Sequence, residues 1–351
     1  MRKKEVEEIL EKWRTECLRK GMIGLDLQKY LDYVGNLIKQ DLPPIVDMRH
    51  LSLLMGIDYV HIATVVNTTS EFYREFEIPK RSGGSRVITA PYPSLKYMQT
   101  WIYDNILTNR KTHFCANGFV HGHSILTNAQ MHENCKMLLK MDISDFFGSI
   151  PQSYVINFFR KELGYNLNVS WILSSICTLN GSLPQGAPTS PALSNLISTS
   201  LDRRLYRLSK YYGLTYSRYA DDLAFSGNDI PTAFIRYVEG ITKDCNLEIN
   251  RSKTRLYGQG GSKIIAGISL ANGKPRVPRE YRHKLRQELH YVRKYGLEGH
   301  MKHNKIRRAN YPESLLGKIN FWLYIEPENV FVQEMRAKLM NEISIFSSTT
   351  I

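Results

Sequence analysis

The 351 residues include only five cysteines, Cys17, Cys115, Cys135, Cys177 and Cys245, and no two of them form a C-x-x-C pair. Scattered and odd in number, they argue against a disulfide framework and the common zinc motifs; they read as reduced, mostly buried thiols of a cytosolic protein. No apolar run approaches a membrane span, and the start Met1-Arg2-Lys3-Lys4-Glu5 lacks the hydrophobic segment of a signal peptide. A soluble, cytoplasmic protein without a membrane partner is expected. Acidic residues are also short: 33 Asp and Glu stand against 47 Lys and Arg, a net charge of +14 that suits a polyanionic partner, nucleic acid foremost. With 42% hydrophobic residues, the chain can bury a large core and is expected to divide into more than one lobe.

What is present begins with helices. Val6, Ile9, Leu10, Trp13 and Cys17 recur at helical spacing, a second helical stretch runs from Leu25 to Ile38, and Leu42-Pro43-Pro44 closes an N-terminal extension over residues 1–45. Met48 to Val66 reads as a small helical pair. Phe72 to Ile88 alternates around a glycine turn and reads as a β-hairpin with a basic tip, where Lys80, Arg81 and Arg86 could grip phosphates. Pro93 to Thr108 has helical spacing. His121 and His123 flank a single glycine in a polar loop, to which no metal is assigned. Pro231 to Cys245 reads as helix, Leu247 to Leu256 as strand, turn and strand, and Ile264 to Leu270 as one strand. Residues 46–275 thus form a mixed body, and 276–351 a helical, basic lobe in which Arg282, Arg286 and Arg293 are interleaved with Tyr281, Tyr291 and Tyr295. Such a mixture suits backbone contact and base stacking.

The chemistry lies in carboxylates. Tyr219-Ala220-Asp221-Asp222 sits between two β-favouring segments, so two like charges are placed in one tight turn, a costly arrangement unless a cation answers it. Lys136 to Pro151 begins as an apolar strand that presents Asp142 at its end, with Asp145, Phe146 and Phe147 on the turn beyond. Asp145 reads as a turn cap. Between them, Leu183-Pro184-Gln185-Gly186-Ala187-Pro188 makes a shaped loop before the apolar helix Ala192 to Leu205. Three Asp residues on neighbouring elements suit two divalent ions in nucleotidyl transfer, because hard cations need only a few carboxylates and water.

Taken in this order, Met141-Asp142-Ile143-Ser144-Asp145-Phe146-Phe147, the Leu183 to Pro188 loop and Tyr219-Ala220-Asp221-Asp222 resemble the motifs of reverse transcriptases, over roughly residues 50 to 300. The resemblance implies an α+β right-hand polymerase fold, with fingers, a palm whose antiparallel sheet carries the Asp-Asp hairpin, and a helical thumb. It implies Asp142, Asp221 and Asp222 as catalytic residues, which with Ile143 hold two Mg2+, Mn2+ serving as substitute. Lys80 and Arg86 would hold the triphosphate, Gln185 would lie over the nascent base pair, Phe147 would exclude a ribose 2′-hydroxyl, and Lys253 would stand near the pyrophosphate.

Asn128-Ala129-Gln130-Met131-His132 further resembles an element of bacterial retron enzymes, while Ile265-Ala266-Gly267 stands where those enzymes usually have Val-Thr-Gly. A retron resemblance implies Asn128 and His132 among the RNA-binding residues, together with Arg282, Arg286 and Arg293. It also implies a cognate non-coding RNA as primer and template, initiation from an internal guanosine 2′-hydroxyl, a branched RNA-DNA product, dNTP substrates and an effector protein in antiphage defence. The length leaves no room for an RNase H domain, so a host RNase H would degrade the template. The alternatives are another bacterial defence or group II intron-like reverse transcriptase, and a catalytically silent RNA-binding scaffold, for which clustered Asp residues would have no use.

Overall fold

The apolar spacing of the first forty residues produces an antiparallel helix pair, α1 (Lys3–Arg19) and α2 (Gly24–Lys39), closed on Val6, Val34 and Ile38 with Trp13 and Tyr30 packed beside them. A computed structural model of the chain describes residues 3–79 and 84–349. By its internal contacts the chain divides into two units, each assembled from separate segments: Met1–Val120, Ile143–Leu205 and Arg236–Asn250 in the first, and His121–Asp142, Tyr206–Ile235 and Arg251–Ile351 in the second.

In the first unit, α3 (Met48–Met55) and α4 (Tyr59–Asn67) start where Asp47 and Asp58 accept hydrogen bonds from free backbone N–H groups of the first turn. The expected hairpin follows as β1 (Tyr73–Pro79) and β2 (Ser85–Pro91), antiparallel from the Tyr73 and Pro91 pair to the Pro79 and Ser85 pair. Lys80 and Arg81 at its tip lie outside the described residues. Next, α5 (Pro93–Ile102) passes into a π-helical turn over Tyr103–Leu107. The second unit then contributes α6 (Ile125–Gln130), opened by a reciprocal Ser124 and Thr127 capping box, and β3 (Met137–Asp142).

Back in the first unit come α7 (Gln152–Asn157) with a second π turn at Phe158–Glu162, α8 (Leu167–Cys177) capped by Asn166, and α9 (Ser190–Ile197). The helix expected from Ala192 to Leu205 is in fact divided at Ser198, where α10 (Thr199–Tyr211) begins. Strands β4 (Thr215–Tyr219) and β5 (Asp222–Gly227) then precede α11 (Thr232–Asp244).

The second unit closes with β6 (Arg255–Tyr257), β7 (Ile264–Ile265), β8 (Ile268–Ala271), β9 (Lys274–Arg276), α12 (Arg279–His303), α13 (Tyr311–Ile325) and α14 (Val330–Thr349). Its main sheet runs in the order β4-β5-β3-β6 and is antiparallel throughout. Ile264 to Leu270 is not one strand: Ala266 and Gly267, at φ 45° and 85°, turn it into a hairpin of β7 and β8. One core joins Leu138 and Ala224 of the main sheet, Ala129 of α6, Ile268 of β8, and Leu289, Trp322 and Leu339 of the three last helices. Among the described residues, no helix is long and apolar enough to cross a membrane.

Candidate active site

Asp142 ends β3 and Asp222 begins β5, and the register pairs them directly across the antiparallel ladder. In a pleated strand such partners project from the same face, so two carboxylates are brought together by strand pairing alone. Asp221 lies in the two-residue connection from Tyr219 to Asp222. Its neighbour Ala220 has φ 57°, a left-handed conformation that costs a non-glycine residue about 1 kcal/mol. The fully buried Arg218 guanidinium donates to the Ala220 carbonyl at 3.1 Å, fastening the strained turn from beneath. Composition and spacing gave no sign of this brace.

The electrostatics match the expected conflict. Burial, then Asp222 and Asp142, push the Asp221 carboxyl above the ordinary aspartate range. Asp222 is also raised, chiefly by burial and with Asp142 adding to it, while Lys140 opposes the rise. Lys253 Nζ reaches both Asp142 oxygens, at 2.8 and 2.9 Å. Among the described residues no group of three His, Cys, Asp or Glu side chains is gathered closely enough to hold a metal ion. The donor chemistry nevertheless fits a hard cation: these are oxygen donors only, Asp221 and Asp222 are crowded and buried enough to disfavour their own ionisation, and a lysine ammonium already pairs with Asp142. Ile143, which the resemblance joins to the metal set, follows Asp142 and forms a bridge with Ile249.

Other expected residues fall in the first unit. Phe147 is half-buried, its ring 5.6 Å from Phe146 and 6.3 Å from Phe119. Phe119, itself at φ 59°, had no motif to announce it. Gln185 accepts from the Thr89 N–H through its backbone oxygen at 3.0 Å, which ties the shaped loop to β2. Gly186 makes this approach possible: at φ 137°, a Cβ there would lie 2.6 Å from the Thr89 oxygen. Gly186→Ala should therefore displace the Gln185 segment and destabilise the protein by roughly 1–3 kcal/mol. Thermal melting checks this, and an unchanged melting temperature contradicts it. Arg86 stands opposite Ile78 in the hairpin, while Lys80 and the Arg86 side chain lie outside the described residues.

The largest departure concerns Asn128 and His132. Both are 1% exposed, and a direct RNA contact by either does not fit this burial. His132 instead binds two serines, Nδ1 to Ser226 Oγ and Nε2 to Ser217 Oγ, each at 2.7 Å. Burial lowers its pKa to about 4. Because the unfolded imidazole titrates near pH 6.5, the neutral folded form is fully favoured above that value and loses its advantage as pH falls toward 4. Between about pH 7 and 4.5 the wild type should lose roughly 2 to 3 kcal/mol more stability than His132→Gln. Urea unfolding at both pH values measures this, and parallel losses would contradict it.

Of the three basic thumb residues, Arg293 is exposed, whereas Arg286 lies 5.7 Å from the rings of both Trp322 and Phe331. Arg282 lines a cavity of about 640 Å3 with Lys263, Arg276 and Arg279.

Comparison with known proteins agrees with this geometry. Residues 78–281 match the family described as reverse transcriptase (RNA-dependent DNA polymerase). The retron Mx162 reverse transcriptase of Myxococcus xanthus is 35% identical over 266 residues, 66% of this chain and 54% of that protein. The retron Mx65 enzyme of the same organism is 37% identical over 257 residues, 66% of this chain and 58% of its own. The retron Ec86 reverse transcriptase of Escherichia coli is 32% identical over 255 residues, covering 72% of this chain and 79% of that one. The chain thus spans little more than half the length of the two Myxococcus relatives. The expected α+β fold, with an antiparallel palm sheet bearing the Asp-Asp hairpin and a helical thumb, is the one observed. The chain belongs to the reverse transcriptase family and, within it, to the bacterial retron type.

Proposed function

We propose that this protein is an RNA-directed DNA polymerase that copies a cognate structured RNA into DNA, with Asp142, Asp221 and Asp222 as its catalytic residues. The observation that carries the reading is the direct cross-strand pairing of Asp142 with Asp222, beside an Asp221 whose ionisation is disfavoured by burial and by both neighbours. Two bound Mg2+ ions, or Mn2+ in their place, would supply activation of the primer hydroxyl and neutralisation of the triphosphate. Asp142, Asp221 and Asp222 would hold them, with the Ile143 carbonyl as a further oxygen.

The remaining steps belong to the chain's own groups. Lys253 leaves the Asp142 carboxylate when that charge is otherwise met, and its ammonium becomes available to the departing pyrophosphate. Lys80 and Arg86 bind the triphosphate, the Gln185 loop sets the nascent base pair, and Phe147 fills the space of a 2′-hydroxyl. Arg282, Arg286 and Arg293 contact RNA, a role that the exposure of Arg293 and the basic surroundings of Arg282 support.

The retron relatives support a narrower reading: the template is a non-coding RNA that also provides the primer through an internal guanosine 2′-hydroxyl. The product is then branched RNA-DNA, and the complex works in the bacterial cytoplasm with an effector protein in antiphage defence, a host RNase H removing the copied template. Nucleic acid copurified with the expressed protein tests this. A 2′,5′-linked junction that resists 3′,5′-directed nucleases and yields to a debranching enzyme is expected. Linear DNA alone would favour a different bacterial reverse transcriptase.

A further inference from the structure

We propose that His132 is a positioning residue for the catalytic hairpin: it pins β4 to β5 from one face and thereby fixes where Asp221 and Asp222 stand against Asp142. The inference rests on the polymerase reading above and concerns a residue that the sequence pattern suggested for RNA contact.

The register supplies the argument. Ser217 of β4 stands opposite Ala224 of β5, and Asp222 stands opposite Asp142 of β3. Side chains alternate along a strand, so Asp222, Ala224 and Ser226 share one face, and Ser217 and Asp142 project from that same face through their partners. His132 comes from the loop after α6 and lies on this face. Its ring joins Ser217 on one strand to Ser226 on the other. Both serines are almost wholly buried, at 0% and 3% exposure, as is the histidine. A neutral imidazole has one donor and one acceptor nitrogen, so one serine accepts the ring N–H and the other donates its hydroxyl to the bare nitrogen. All three groups are satisfied only while the two strands keep this register.

The hairpin needs such a restraint. Its tip combines a left-handed Ala220 with crowded carboxylates, and both features are relieved if the turn slides or opens. A slip of one residue would also send every side chain, Asp222 included, to the opposite face. Arg218 secures the turn itself. His132 secures the strands behind it, at Ser217 opposite Ala224 and at Ser226, two and four residues from Asp222 or about 7 and about 13 Å at the ordinary rise per residue, so its influence on the reaction is through strand placement.

The same α6 segment is held elsewhere in its unit, by Tyr324 Oη donating to Ser124 Oγ at 2.7 Å and by the Asn134 N–H bonding to the Gly273 carbonyl at 2.9 Å. The imidazole is therefore presented from an anchored platform, which a brace requires.

The test compares Ser217→Ala, Ser226→Ala, His132→Ala, His132→Gln and the His132→Ala/Ser217→Ala pair on a primed RNA template. It records kcat, KM for dNTP, RNA Kd and melting temperature, at a temperature where each variant is folded. A loss in kcat of about 10- to 100-fold is expected for His132→Ala, with smaller losses for each serine variant, and with KM and RNA Kd nearly unchanged. Partial recovery in His132→Gln, which keeps a donor and an acceptor, and a paired variant no slower than His132→Ala alone would complete the pattern. A lowered melting temperature with kcat retained reduces His132 to packing and overturns the proposal, as does weakened RNA binding with kcat retained. A wild type that makes no RNA-templated DNA overturns the polymerase reading and this inference together. An active wild type with unaffected serine and histidine variants overturns only the inference.

Discussion

Asp221→Asn is expected to lower dNTP incorporation by at least about a thousandfold, while folding and RNA binding persist. The substitution preserves shape and removes one negative charge from the Asp221-Asp222 pair, both members of which resist ionisation through burial and neighbouring carboxylates. Its effect on stability should therefore be small or favourable, since the charge it deletes is repelled by Asp222 and Asp142 and penalised by burial. What it removes is an anionic oxygen that the proposed reaction needs. Asp142→Asn should act similarly on the rate, but it also weakens the bidentate partner of Lys253. Single-turnover extension, RNA binding and melting curves separate these effects. Extension retained by the double variant would remove the carboxylates from catalysis.

The second large effect concerns sugar selection. Phe147→Ala should raise ribonucleotide incorporation relative to deoxyribonucleotide by roughly 10- to 100-fold, because the proposed barrier to a 2′-hydroxyl is the bulk of that ring. Phe147 does not stand alone: Phe146 lies against it at 5.6 Å and Phe119 at 6.3 Å, both tilted, so the ring is propped from two sides. Phe119→Ala should consequently loosen selection to an intermediate degree, and Phe147→Tyr should preserve it. Competition between matched rNTP and dNTP on one template gives the ratio directly. Unchanged discrimination in Phe147→Ala would mean that another group excludes the hydroxyl.

The acidic site was legible because its signals are local. An apolar strand delivering one carboxylate, and a β-flanked pair of like charges, state their positions in a few residues, and the Asp142 and Asp222 register follows once the strands pair. The Phe72 to Ile88 alternation gave the β1-β2 hairpin for the same reason. Errors came where long-range contacts or single backbone angles decide. Ala192 to Leu205 has continuous helical spacing, yet Ser198 separates α9 from α10. Ile264 to Leu270 has strand composition, yet Ala266 and Gly267 take positive φ and fold it back. Phe119 and Arg218 have no pattern of their own: the ring that Phe119 meets is distant in sequence, and the Ala220 carbonyl that Arg218 binds, two residues away, is presented to it only by the left-handed turn. His132 shows the limit most clearly. Its motif resembles one of the retron subgroup, but only the packed structure reveals that both ring nitrogens are spent on serines of the Asp221-Asp222 hairpin.

The account's central claim is that the Asp142, Asp221 and Asp222 cluster polymerises DNA on RNA. Incorporation of labelled dNTP by the purified wild type on a primed RNA template, with Mg2+ present, tests it most directly. Template-length DNA that disappears when the RNA is digested beforehand, and is absent with Asp221→Asn, is the expected result. Robust RNA binding without any templated incorporation would contradict the claim and leave the scaffold reading in its place.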